Sequence, residues 1–244
     1  MTKYLCALLA LCFFSYQSKA QNQGGGVDND IIHFGFTFQY VSSEYKIYKK
    51  ENWRDPYFDP STGAQVTPTL NSISSKPSPG FGLGFVSDLR MGTHVNLRFT
   101  PLLVFPDRSI DYAYQDPQFD KSKEVNAVLV ELPLGFKLKS DRRGNFRAYI
   151  LGGGKFTSDI VSKKKTTNEG KEEKEKLVGN IKNYFSYEGG IGFDLYFEYF
   201  KLSPEIKFSQ SVSSILKPDK QSNAYSQPLD KLFLRNFQFS LFFE

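Results

Sequence analysis

Cysteine is almost absent from this 244-residue chain, and both copies, Cys6 and Cys12, fall among the first dozen residues. Whatever remains after that leading segment is removed therefore has no disulfide, no thiolate metal site and no thiol nucleophile. Histidine is nearly as scarce. His33 and His94 are the two, and neither stands at metal-ligand spacing from another His or Cys. No Ser occupies a G-x-S-x-G setting, which removes the usual carrier of hydrolytic chemistry. Gly154-Lys155 looks like the end of a phosphate-binding loop, but Phe156 stands where Ser or Thr is needed and Tyr149 where the earlier Gly is needed. An excess of one charge is lacking too: Lys and Arg total 31 against 26 Asp and Glu, a net +5 too mild to suggest nucleic acid. The expectation is a protein that is not an enzyme, holds no cofactor or metal, and has no small-molecule substrate or nucleic-acid partner.

A long apolar run is also missing. Beyond the leading segment nothing approaches the roughly 20 residues a membrane helix needs, so any crossing of a bilayer must be made by strands. The leading segment itself reads as an export signal: Lys3 gives a positive start, Leu5 to Phe14 an apolar stretch, and Ser18-Lys19-Ala20 a small-x-small cleavage site. This divides the chain into a signal peptide at 1–20, a periplasmic N-terminal segment at 21–31, and a folded region at 32–244.

What the chain does have is 16% aromatic residues, 19 Gly and a mean hydropathy of -0.40. That mixture suits strands that are apolar on every second residue. Period-two alternation recurs in segments about as long as a tilted membrane strand, roughly 9 to 11 residues. In Ile32 to Tyr40, Phe34, Phe36, Phe38 and Tyr40 share one face. Similar segments run over Gly80–Leu89, Val95 to about Phe105, Val128–Leu138, Phe146–Phe156, Tyr184–Tyr199, Leu202–Ser209 and the final stretch ending at Phe243, in which Phe242 breaks the alternation.

A water-soluble sandwich could alternate in the same way, and connection lengths separate the two. Connections near Asp88–His94, Ser140–Asn145 and Tyr199–Lys201 are tight. Those over about Val41–Pro79, Pro106–Glu124, Thr157–Asn183 and Gln210–Lys231 are long, and they alternate with the tight ones. Outer-membrane barrels have short periplasmic turns and long outer loops. The fold expected is all-β: an antiparallel up-and-down transmembrane barrel of about eight strands, integral to the outer membrane and surrounded by its lipid.

On the polar parity of these strands lie Glu131, Glu188, Asp194 and Glu205 together with Arg98, Arg147, Lys137 and Lys207. Both signs in one narrow lumen are expected to pair and fill it, because barrels of this size are too narrow for an open channel. Glycines on that parity are expected to make room for long opposing side chains. Tyr40, Tyr45, Tyr48, Trp53, Tyr112, Tyr114, Tyr184 and Tyr199 lie near strand ends, where interfacial girdles are the plain expectation. Trp53 and its neighbours could alternatively form a ligand-binding aromatic loop.

The stretch from Pro79 to Arg90, with Asn96-Leu97-Arg98-Phe99-Thr100-Pro101, resembles the PorT (SprT) family of Bacteroidetes outer-membrane proteins. Phe105-Pro106-Asp107-Arg108 with Tyr112, Val130-Glu131-Leu132-Pro133-Leu134 and the C-terminal Ser240-Leu241-Phe242-Phe243-Glu244 add to the likeness. The resemblance implies a role in type IX protein secretion, with other components of that apparatus as partners and no catalytic residues to carry over. Asp88, Arg90, Arg98, Arg108 and Glu131 stand in the resembling segments. With Glu188 and Glu205 they are the candidate lumen or rim residues.

Overall fold

The computed structural model describes residues 30–125, 127–160, 176, 178–218 and 223–244. The expected signal peptide with its cleavage point, and nearly all of the 21–31 segment and of the Lys- and Glu-rich stretch 163–176, lie outside those residues.

Alternating sequence forms alternating strands. In chain order these are β1 (Ile32–Lys49), β2 (Tyr57–Phe58), β3 (Gln65–Thr67), β4 (Leu70–Ser74), β5 (Ser78–Arg90), β6 (Val95–Phe99), β7 (Leu102–Pro106), β8 (Ser109–Tyr114), β9 (Lys121–Glu124), β10 (Leu129–Lys139), β11 (Phe146–Asp159), β12 (Asn183–Tyr196), β13 (Lys201–Ser211) and β14 (Leu229–Phe243). A short 3-10 turn covers Pro117–Phe119.

Each long strand pairs antiparallel with its neighbours, and β1 pairs both β5 and β14, so the sheet closes on itself. β6 and β7 are two halves of one strand, which makes the ring eight strands around. Their break falls at Thr100-Pro101, where Pro has no N–H to give the ladder. Thr100 N–H instead reaches the Pro133 carbonyl at 3.1 Å, and the Pro101 carbonyl accepts from Phe85 N–H at 3.0 Å. Closure leaves no strand edge stranded in hydrocarbon.

The outer wall is apolar. Phe34, Phe36 and Phe38 on β1, Phe81 and Phe85 on β5, Leu134 and Phe136 on β10, Phe185 and Ile191 on β12, and Phe237 and Phe239 on β14 are all exposed. A surface of that size and composition is untenable in water and satisfied in lipid. Several strands run further than sequence periodicity suggests. β1 continues to Lys49 because Val41, Ser43 and Tyr45 keep pointing inward while the outward residues turn polar at Ser42, Glu44 and Lys46, as expected where a strand leaves the bilayer.

Tight turns join β5 to β6, β10 to β11 and β12 to β13 at one rim, where Ile32 and Phe243 also lie. In the second of these, Gly144 takes a positive φ of 61°, open to glycine at little cost. The long connections leave the opposite rim, and those between β1 and β5 and between β7 and β10 carry strands of their own. β2 pairs β3, and β8 lies between β4 and β9. Between them and the outer ends of the barrel strands sits a hydrophobic core that includes Leu70, Ile73, Ile110, Tyr112, Ile215, Tyr225 and Leu232.

Candidate functional site

The lumen is built by inward positions of strands far apart in sequence. Arg98 on β6 is its centre, 2% exposed and shared by three carboxylates. Its Nη2 donates to Asp88 Oδ2 at 2.8 Å and to Glu244 Oε1 at 2.9 Å, and its Nη1 to Glu205 Oε2 at 3.1 Å. The guanidinium also lies over the Phe242 ring, 4.6 Å from its centroid. This explains the break in alternation at Phe242: it faces inward, as a floor for a cation.

Around this centre every buried charge is answered. Lys137 on β10 donates to Asp194 on β12 at 2.7 Å, stands 3.8 Å from Asp88, and lies 3.9 Å from the centroid of the Tyr149 ring. Ser203 donates to Asp194 at 2.7 Å, Tyr149 gives its hydroxyl to Glu205 at 2.9 Å, and Lys201 pairs with Glu244 at 2.5 Å. One layer outward, Lys155 donates to Glu131 at 2.8 Å, while Lys207 lies 3.4 Å from Glu188 and 3.6 Å from Glu205. Desolvated charges are tolerated only in such company, since removing one partner leaves the other uncompensated.

Glycine makes the room. A side chain at Gly192 would collide with the Tyr149 ring, and one at Gly153 with the backbone of Leu134 and Gly135. Gly152, Gly154 and Gly189 lie on the other parity, with Ile150 and Ile191, and face outward.

Of the nominated residues, Asp88, Arg98, Glu131, Glu188 and Glu205 lie buried in this lumen. Arg90 sits half-buried at the turn end of β5. Arg108 is elsewhere: it is buried beyond β7, at the foot of the loop-side core and 5.8 Å from the centroid of the Tyr45 ring. The lumen also holds Lys155, Lys201, Tyr149 and Glu244, which are not among the candidate lumen residues of the sequence. Their parity points to all four: Lys201 stands two before Ser203, Glu244 two after Phe242, and Tyr149 and Lys155 share the parity of Arg147.

The loop-side core forms a cap, and it corrects the girdle expectation for four tyrosines. Tyr45, Tyr112, Tyr114 and Tyr184 are buried in it, because the strands that carry them extend past the bilayer and pack against folded loops. Tyr112 donates to the Tyr225 carbonyl at 2.8 Å and meets its ring edge-on, with centroids 5.3 Å apart. Burial pushes the Tyr112 and Tyr114 hydroxyls well above the usual phenol range. Tyr40 and Tyr48 stay exposed, and Tyr199 is 87% exposed in the β12–β13 turn. Trp53 packs against the cap core with Lys49 and Arg54 over its ring. At the turn rim, the His94 Nε2–Asp141 Oδ1 contact of 3.0 Å holds the Asp141 carboxyl below the usual carboxylate range.

Among the described residues, no three His, Cys, Asp or Glu side chains are grouped to hold a metal ion. An open apolar cleft of about 450 Å3, lined by Phe81, Phe105, Pro106 and Ala127 among others, lies on the outer wall where β7 and β10 part. It reaches none of the lumen charges.

The sequence model of the outer membrane protein β-barrel domain family matches residues 20–217. The chain belongs to that family. Its match stops short of β14, the strand that closes the ring. Among solved structures, the chain is similar to OprG of Pseudomonas aeruginosa, at 13% identity and TM-score 0.43, covering 87% of this chain and 92% of that one. It is also similar to Ail, the attachment invasion locus protein of Yersinia pestis, at 10% identity, TM-score 0.34 and coverages of 86% and 96%. AlkL, solved in lipid bilayers, shows 12% identity, TM-score 0.33 and coverages of 95% and 92%. No curated relative matches the chain.

Proposed function

We propose that this outer-membrane β-barrel serves a type IX protein secretion apparatus, acting by contact with other components through its rims and cap and not by catalysis. The secretion role rests on the resembling segments around Asp88, Arg98, Arg108 and Glu131. Contact as the mode of action rests on one observation: the lumen is occupied by paired charges and lies beneath a folded cap, so the protein offers surfaces and not a passage. Deleting the gene and following secreted cargo tests the role, with export expected to fall. Normal export would sink it.

A small porin-like or adhesive barrel is the rival reading, and the family alone accommodates it equally. Planar-bilayer recordings separate the porin from the contact protein. A filled lumen predicts no steady conductance, whereas stable open-channel current would favour the porin.

A further inference from the structure

The outer wall is not uniform where it leaves the apolar band on the loop side. Near their loop-side ends β13 presents Gln210, β12 Asn183, β11 Ser158 and the end of β7 Asp107, with exposed Val212 and Ile160 just beyond the ends of β13 and β11. At the β1–β14 seam the wall turns basic. Arg235, Lys46 and Lys231 face outward on adjacent strands, with Lys46 opposite Phe233 and Lys231 opposite Tyr48 in the register. That register sets the three cations on successive diagonals of one two-stranded ribbon, within reach of a single headgroup.

These cations are not neutralised from within. Glu44 lies across the pair from Arg235, yet Arg235 gives its Nε to Gln210 at 3.0 Å, and none of the three makes an ion pair among the described residues. The floor between them is aromatic: Tyr48 and Phe233 meet edge-on with centroids 5.6 Å apart, and Lys46 Nζ lies 5.1 Å from the Tyr48 ring centroid. Below them the seam continues outward as Phe237, Phe239 and Tyr40, all exposed, a surface for acyl chains.

We propose that the outward face of the β1–β14 seam binds a lipid that carries a phosphate headgroup, the phosphate held by Lys46, Lys231 and Arg235 and the chains laid on the phenylalanines beneath. Cations at the interface attract anionic headgroups over about a Debye length, and apolar contact below fixes which way the molecule lies. The inference is independent of the secretion role.

Native mass spectrometry of the purified full-length protein, offered equal amounts of phosphatidic acid and phosphatidylcholine with matched chains, tests it. Phosphatidic acid is expected to be retained on the order of tenfold over phosphatidylcholine. Lys46→Gln/Lys231→Gln/Arg235→Gln should abolish that preference, while Lys121→Gln/Lys182→Gln/Lys217→Gln, which removes equal charge elsewhere, should keep it. If the seam triple fails to fold, Lys46→Gln and Arg235→Gln singly should each lower the preference. An unchanged preference in the seam variants overturns the proposal. So does inorganic phosphate displacing the lipid at matched concentration, which would make the surface a site for free anions.

Discussion

The barrel and the cap are built from the same period-two strands and are opposite in polarity. Inside the barrel the buried residues are Arg98, Lys137, Lys155, Asp194 and Glu205, and the exposed ones are phenylalanine and leucine. Inside the cap the buried residues are Ile110, Tyr112, Ile215 and Leu232, and exposed Lys, Asp and Ser surround them. The difference lies in the solvent: lipid makes apolar side chains the outer surface, while water above the bilayer restores the usual order. β1 crosses from one regime to the other without a break, from Phe36 and Phe38 outward to Tyr45 inward.

The sharpest way to break this contrast is to strip the barrel of its central cation. Arg98→Met should take from Asp88, Glu205 and Glu244 the cation they share, leaving three buried carboxylates under-compensated, and cost about 3–5 kcal/mol, read as an early loss of the heat-resistant folded band on electrophoresis. In the cap the damage comes from an apolar loss instead. Tyr112→Ala should cost the cap about 3 kcal/mol and expose its loops to limited proteolysis, while the barrel keeps its folded band. Simultaneous collapse of both would show one cooperative unit. Gly192→Ala should displace the Tyr149 ring and cost about 1–3 kcal/mol, measured by thermal unfolding in detergent.

The smallest effect belongs to the turn rim, where water reaches everything. Because His94 holds the Asp141 carboxyl below its usual range, any stability it lends is complete above about pH 4 and is lost as pH falls through the lowered value. His94→Ala should therefore leave unfolding at pH 7 nearly unchanged, and slightly flatten its fall on acidification.

Sequence reading located the ring because lipid on one side and charge on the other impose alternation strong enough to see in single strands such as Val128–Leu138. It also placed Glu131, Glu188, Asp194 and Glu205 on one parity with Arg98, Lys137 and Lys207. Strand ends escaped it, since Ser42, Glu44 and Lys46 look like loop once the outward residues are polar. So did the cap: β2, β3, β4 and β9 are only two to five residues long, and their partners are set by tertiary packing. Tyrosines near strand ends fit a girdle and a buried cap equally in sequence, and only the fold of 50–75 and 107–125 distinguishes them. Phe242 and Glu244 look like exceptions until Arg98 stands beside both.

The central claim is a closed ring with lipid outside and a dry, paired lumen inside. Spin labels placed one at a time from Phe185 to Phe193 on β12, in the protein reconstituted in bilayers, test it most directly. Oxygen accessibility should peak at 185, 187, 189, 191 and 193, with neither oxygen nor a water-soluble nickel reagent reaching the positions between. Accessibility without alternation, or free access of the nickel reagent to 186, 188 and 190, would contradict it.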